Sequence, residues 1–320
     1  MISELSGTGD LRVVQFPHPG GEHDMSRRLI REWRSGSEPH RRTFLQADGR
    51  FRKSTDGPEH IGLLTAWAEW EAQARLVAPL GGRPGGARWL CEPVVDGSIP
   101  TPTDGSPPQN TDPFVFGERF AYTACRQPTN RKLRTLGRGS LILFGSSVCG
   151  EFVLDTVFVV AGYIDHTAAT YRDLPDSVAS EDLRRFTLDP WYGWGDQGET
   201  YRLYVGATSD EPVEGMFSYV PCLPLTDKPT AFARPPVRLP SFVNPRLRMQ
   251  ARSSPAVDAE AVSDAWRAVA ETVIGSGLCL GTKLTIPRTT TSQSSAWSVT
   301  HTGKPMPDAV TALSRSRSRC

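Results

Sequence analysis

Between Ser140 and Gly162 the chain runs SLILFGSSVCGEFVLDTVFVVAG, and its apolar stretches SLILF and FVLDTVFVVAG are β-branched, aromatic and bounded by glycine. Such side chains pack best on a pleated surface, so the segment predicts the strands at the hub of a β core. The rest of the chain agrees. Its 320 residues include 27 prolines and 29 glycines, a turn-rich make-up that favours short strands over long helices. An all-helical fold is not expected, and the length suffices to bury a core without staples.

Further strands are expected at residues 11–16 (LRVVQF), stopped by Pro17-His18-Pro19-Gly20-Gly21, at residues 88–95 and 120–123, and in YRLYVGAT and MFSYVPCL. TFLQADGRFR, residues 43–52, predicts a hairpin turning at Asp48-Gly49. Residues 25–33 predict a short helix with Leu29, Ile30 and Trp33 on one side, and residues 180–186 a helical turn or two before an aromatic loop, DPWYGWGDQGE. Residues 60–80 suit a helix by propensity and a strand by alternation. The main helix is expected over residues 257–274, where Val262, Trp266, Val269 and Val273 recur every three or four positions between Pro255 and Gly275. The sum is an α+β fold: a mixed, mainly antiparallel curved sheet or barrel with a few packing helices, as one domain over residues 10–285. A Ser/Thr/Arg-rich tail, residues 286–320, is expected to be disordered.

Lys+Arg number 36 and Asp+Glu 35, so no global field draws the chain to nucleic acid or to a membrane, and any such contact must come from a local patch. The six cysteines stand singly, without a CxxC pair, which argues against a structural zinc site. No apolar run approaches a membrane span, and MISELSGTGDLRVVQF lacks the pattern of a leader. The expectation is a reduced, cytoplasmic protein without a membrane partner.

Candidate chemistry concentrates in residues 109–127. Asn110 and Asp112 precede a proline, where capping a turn is their ordinary use; Cys125, beside Arg126 and Gln127, is a candidate nucleophile, although a lone cysteine is more often simply packed. His18, Glu22 and His23 follow a strand in PHPGGEH, in no recognised zinc pattern, so no metal is expected there. Glu69 and Glu71 would point the same way from a strand and diverge from a helix. Asp155 interrupts an apolar strand and must lie at an edge, be hydrogen-bonded or face a polar cavity. Arg126, Lys132 and their basic neighbours, with Trp191 and Trp194 as stacking faces, offer phosphate and base contacts.

The blocks FxYxxCxQ (Phe120, Tyr122, Cys125, Gln127), SLILFGS, EFVLDTVFVV, GATSDEPVEGMFSYVPC and FARPPVRLPSFVNP together resemble a bacterial protein family over roughly residues 12–250. Within them, the FxYxxCxQ…L…G(S/D)LIxFGS arrangement is similar to nucleotide-modification-associated domains and to PUA-like β-barrels that cradle a modified base. Gly139-Ser140 stands where such barrels often carry Gly-Asp. The resemblance implies a compact β-barrel or curved sheet and a nucleic-acid partner, with no catalytic residue carried over.

Two functional readings follow. One is a nucleic-acid-associated protein that reads or processes modified nucleotides, using Asn110, Arg126, Gln127, Lys132, Trp191 and Trp194, with His18 and Glu22 lining its pocket. The other is an enzyme acting on a small nucleotide-like metabolite through Cys125 or through Glu69, Asp112 and Asp155. A scaffold without pocket chemistry is the third possibility. They differ in whether Asp112, Cys125 and Asp155 converge. The sequence names no cofactor.

Overall fold

The structure, a computed structural model, describes residues 5–26, 28–34, 39–81, 85–95, 99, 107–193, 198–226 and 229–287. The described residues up to 287 cluster as one compact unit; residues 288–320, most of the expected tail, lie outside the described residues. The strands are β1 (Val13–His18), β2 (Ile30–Arg31), β3 (Arg42–Arg52), β4 (Glu59–Glu69), β5 (Ala74–Pro79), β6 (Trp89–Pro93), β7 (Ala121–Tyr122), β8 (Leu141–Val148), β9 (Glu151–His166), β10 (Tyr201–Gly206), β11 (Val220–Pro224), β12 (Arg252–Ser253) and β13 (Cys279–Thr285). They form a sheet ordered β12-β1-β8-β9-β10-β7 and another ordered β13-β11-β4-β3-β6-β5-β2, with β13 also paired to β3. Only β1–β8 and β3–β6 are parallel among the described strand pairs. The fold is therefore α+β and mainly antiparallel, as expected, but it is two mixed sheets rather than one closed barrel.

β9 explains the continuous apolar run of the sequence. Phe158, Val160 and Tyr163 face a core shared with Leu45 and Ala47 of β3 and Leu64, Ala66 and Ala68 of β4. Phe152, Leu154, Val157, Val159 and Ala161 face the helix Ala259–Gly275, which buries Val262, Trp266, Val269 and Val273 against them. A strand covered on both faces has no polar alternation to show. Each large side chain so buried contributes about 1.5–3 kcal/mol. The helix itself begins at Asp258, whose side chain accepts the amide of Ala261.

The parity of β9 changes at Asp155, and again at Ala161, which is skipped between the Val205–Gly162 and Gly206–Val160 pairs. Thr156 pairs with Phe144 and Leu154 with Gly145, leaving Asp155 as the extra residue of a bulge. Gly145 fits because a Cβ there would stand 2.2 Å from the Val153 carbonyl oxygen. The bulge re-aims Asp155 without exposing it.

Four expectations are corrected. β1 does not stop at Pro17 but continues through His18; β12 covers only Val14 and Gln15, so the missing amide of Pro17 falls on an uncovered edge. Residues 25–33 are not a helix: Arg31 donates to the carbonyls of Trp70, Glu71 and Ala72, which holds the segment extended as β2, and Leu29 is 76% exposed. Asp48-Gly49 is not a turn, since β3 runs unbroken to Arg52 and the chain reverses over residues 53–58, where Asp56-Gly57 lies. Residues 189–192 of the expected aromatic loop are a helical turn, Asp189–Tyr192, continuing a π-helical stretch, Arg184–Leu188. The ambiguous residues 60–80 are strands, β4 and β5. Trp194 lies outside the described residues.

Gly49 has a different task from the one its neighbour suggests. A Cβ there would lie 2.2 Å from the Lys283 carbonyl oxygen, where β13 crosses close to β3, whereas at its ladder partner Gly62 the nearest atom is 3.9 Å away. Gly49→Ala is expected to lower stability by about 2 kcal/mol or more, and Gly62→Ala to be near neutral. Urea unfolding of the two variants checks this; equal midpoints would contradict the β13–β3 pairing.

Candidate functional site

The polar residues of the sequence meet where β1, β3 and β4 end beside residues 109–127. Arg42, the first residue of β3, is the ladder partner of Glu69, the last of β4, and its Nη1 lies 2.9 Å from Glu69 Oε2. His18, at the end of β1, presents Nδ1 to the same oxygen at 3.0 Å and Nε2 to Cys125 Sγ at 3.2 Å. Nδ1 makes no aligned hydrogen bond, but the charge of the nearby Glu69 favours the tautomer with its proton on Nδ1, in which Nε2 accepts from the thiol. The order is thiol, imidazole, carboxylate.

Asp112 fixes the thiol's position. Its Oδ2 accepts the Cys125 amide at 2.8 Å and its Oδ1 the Thr123 amide at 3.0 Å, while the Tyr122 hydroxyl donates to the Cys125 carbonyl at 2.8 Å. Arg126 follows with φ 63°, a left-handed conformation costly for a side-chain-bearing residue and sustained here by the pinned loop around it. Cys125 keeps part of its surface exposed, whereas Asp112 and His18 are buried.

Asp155 closes the other end of the network. Its Oδ2 accepts from Arg42 Nε at 2.7 Å and its Oδ1 from Arg234 Nη1 at 3.0 Å; Arg234 also reaches Ser146 Oγ at 2.9 Å. On the opposite side, His40 Nδ1 stands 3.0 Å from Glu69 Oε1 and 3.5 Å from Glu71 Oε1, and Glu71 Oε2 is 3.4 Å from His23 Nε2. Thus Glu69 and Glu71 do share one side.

Electrostatics follow from burial and pairing. Burial alone would raise Glu69, but the imidazoles of His40 and His18 hold it well below the usual carboxylate range. Burial would likewise raise Asp155, and Arg234 and Arg42 bring it down instead. Burial would lower His40, yet Glu69 and Glu71 lift it to about 10. Burial pushes Asp112 up to about 7 against the amides of Cys125 and Thr123, with the charge of Glu69 adding to the rise. Burial, then Asp112 and Glu69, push the Cys125 thiol well above its ordinary value, and burial lowers His18. The resting pair is a neutral thiol beside a neutral imidazole.

No family model, curated protein or solved structure matches the chain. The reading of the site therefore stands on its geometry. Of the residues singled out in the sequence, Cys125, His18, Glu69, Asp112 and Asp155 converge. Gln127 does not join them: buried, it donates to the carbonyls of Thr123 and Arg202 and accepts the Arg202 amide at 2.9 Å, tying its loop to β10. Glu22 is likewise occupied elsewhere, accepting the amides of Arg88 and Trp89 and pairing with the Arg88 side chain at 2.9 Å. Trp191 packs edge-on to Tyr201, Lys132 is exposed in a 3-10 turn, and Asn110 is buried with its Nδ2 making no hydrogen bond to the described residues. His40, Arg42 and Arg234 were not singled out. Arg42 was readable only as the cross-strand partner of Glu69, and no local spacing marks the other two.

Proposed function

We infer that this chain is a thiol enzyme in which Cys125 is the nucleophile, His18 its base and Glu69 the group that orients and stabilises the imidazole. The observation that carries it is the placement of His18 between Cys125 and Glu69, with Nε2 3.2 Å from Cys125 Sγ and Nδ1 at an ion-pair distance of 3.0 Å from Glu69 Oε2, without an aligned hydrogen bond there. Buried ion networks seldom add net stability, so a thiol of a half-buried residue placed at the end of one is better accounted for by chemistry than by folding. The reaction class is acyl transfer. The sulfur attacks a carbonyl carbon while the thiol proton passes to His18 Nε2; the leaving group departs with that proton, and water then cleaves the thioester. Asp112, by holding the Cys125 and Thr123 amides, is a positioning residue. A nucleotide-like substrate remains compatible with this chemistry. Association with nucleic acid is the weaker reading, because Gln127 and Trp191 are engaged within the fold and Arg126 and Lys132 are left as its main contacts.

The test uses p-nitrophenyl acetate in a Cys149→Ser background, which removes an exposed thiol. One acetyl group is expected on Cys125, located by peptide mass spectrometry, and none there in Cys125→Ala. His18→Asn is expected to slow acetylation by about 10²–10⁴-fold. Acetylation at an unchanged rate in His18→Asn, or no acetylation of Cys125, defeats the reading.

A further inference from the structure

His40, Glu69 and Glu71 each offer one ligand atom, and the three atoms lie within 4.8 Å of one another. Ligands about 2.0–2.2 Å from one ion at tetrahedral angles stand about 3.3–3.6 Å apart; the His40–Glu71 pair, at 3.5 Å, has that spacing, and the His40–Glu69 pair, at 3.0 Å, would have to open by a few tenths of an ångström to admit an ion. Glu69 turns Oε1 to His40 and to the Asp112 amide, at 3.0 and 3.4 Å, and Oε2 to His18 Nδ1 and Arg42 Nη1, at 3.0 and 2.9 Å. Glu71 turns Oε1 to His40 and to the Arg41 amide, at 3.5 and 3.1 Å, while its fully buried Oε2 makes no hydrogen bond and has His23 Nε2 at 3.4 Å. Donors on the far oxygen, as Arg42 supplies for Glu69, are the outer partners that fix ligand carboxylates at metal centres. The Glu side chains are 1% and 0% exposed, but that of His40 is 27% exposed, so the group is reachable from solvent on the imidazole side.

We propose that His40 Nδ1, on releasing its proton to solvent, binds one divalent first-row metal ion, zinc or manganese, together with Glu69 Oε1 and Glu71 Oε1, with its remaining positions open to water or substrate. One imidazole and two carboxylates suit ions of that group, and three protein ligands are the number found where a metal acts on a substrate. None of the three is in the PHPGGEH loop, where spacing had given no zinc pattern. The site goes beyond the thiol reading and does not depend on it, although Glu69 serves both through different oxygens.

The experiment is calorimetric titration of the EDTA-treated full chain with Zn(II) and, separately, Mn(II). One saturable equivalent is expected for at least one of them, with a rise in thermal midpoint of about 5 °C at a hundredfold excess over Kd. His40→Ala, at a partly exposed position, is expected to keep the fold and weaken binding by at least about 100-fold; Glu71→Gln is expected to do the same and serves as the second variant. Cys125→Ala is expected to bind fully, and the Co(II) form to lack a sulfur-to-metal charge-transfer band. No stoichiometric binding of either ion, unchanged binding in folded His40→Ala, or a thiolate band would overturn the proposal. Metal binding without acetylation of Cys125, or acetylation without metal binding, tells the failure of one reading from that of the other.

Discussion

Replacing Arg42 with methionine is expected to destabilise the protein by about 3–5 kcal/mol, the usual effect of removing one partner from a buried ion network. Its side chain is 1% exposed and spans two carboxylates, with Nε 2.7 Å from Asp155 and Nη1 2.9 Å from Glu69. Methionine fills much of the volume but supplies no donor. Glu69 would retain His18 and His40, and Asp155 would retain Arg234, so the fold should survive while its unfolding midpoint in urea falls steeply. Adding Glu69→Gln removes the one carboxylate left in excess, while Asp155 keeps Arg234, and is expected to recover part of the loss. Arg267→Ala, which breaks only an exposed pair with Asp264, is the control and should change stability by less than about 1 kcal/mol. A cost for Arg42→Met no larger than that control would mean that the network at the ends of β1, β3 and β4 is not assembled as described.

The second large effect is on the pH dependence of stability. His166 is buried, with Nε2 2.8 Å from Thr123 Oγ1 and Nδ1 2.8 Å from the Tyr192 hydroxyl, and burial pulls it down to about 4. Its folded value lies below its unfolded one, near 6.5, so the unfolded chain takes up the proton first. The stability it contributes is therefore complete above about pH 6.5 and is lost as pH falls toward 4. A shift of this size corresponds to roughly 3 kcal/mol across that window. Urea unfolding at pH 7 and at pH 4.5 measures it. His166→Phe starts from a lower stability, because two hydroxyls lose their partner, but should show a flatter profile between those values. An unchanged slope in the variant would exclude His166 as its source.

How far the sequence reached can be argued from single residues. The two-sided burial of β9 was legible because a strand covered on both faces is apolar throughout, and the helix Ala259–Gly275 because one covered face repeats with the helical period. Asp48-Gly49 misled because the same dipeptide that makes a tight turn also fits a strand where another backbone passes within 2.2 Å of the missing Cβ. Asp155 was recognised as needing a reason, but the reason is a bulge opposite Gly145 and two arginines, one of them 79 residues away in the chain. His18 and Cys125 each stood out as polar residues near a strand end. Nothing in their spacing joins them.

The class of fold, and the places where polar side chains had to be accounted for, follow from residue order alone, since periodicity and turn chemistry act between near neighbours. Which of those side chains meet is set by the packed sheets. His18 and Cys125 are 107 residues apart, and His40 and Glu69 are brought together only when β3 lies against β4. Strand pairing sets such distances through hydrogen-bond register and core packing across the whole sheet, and a linear pattern of residue types does not contain that register.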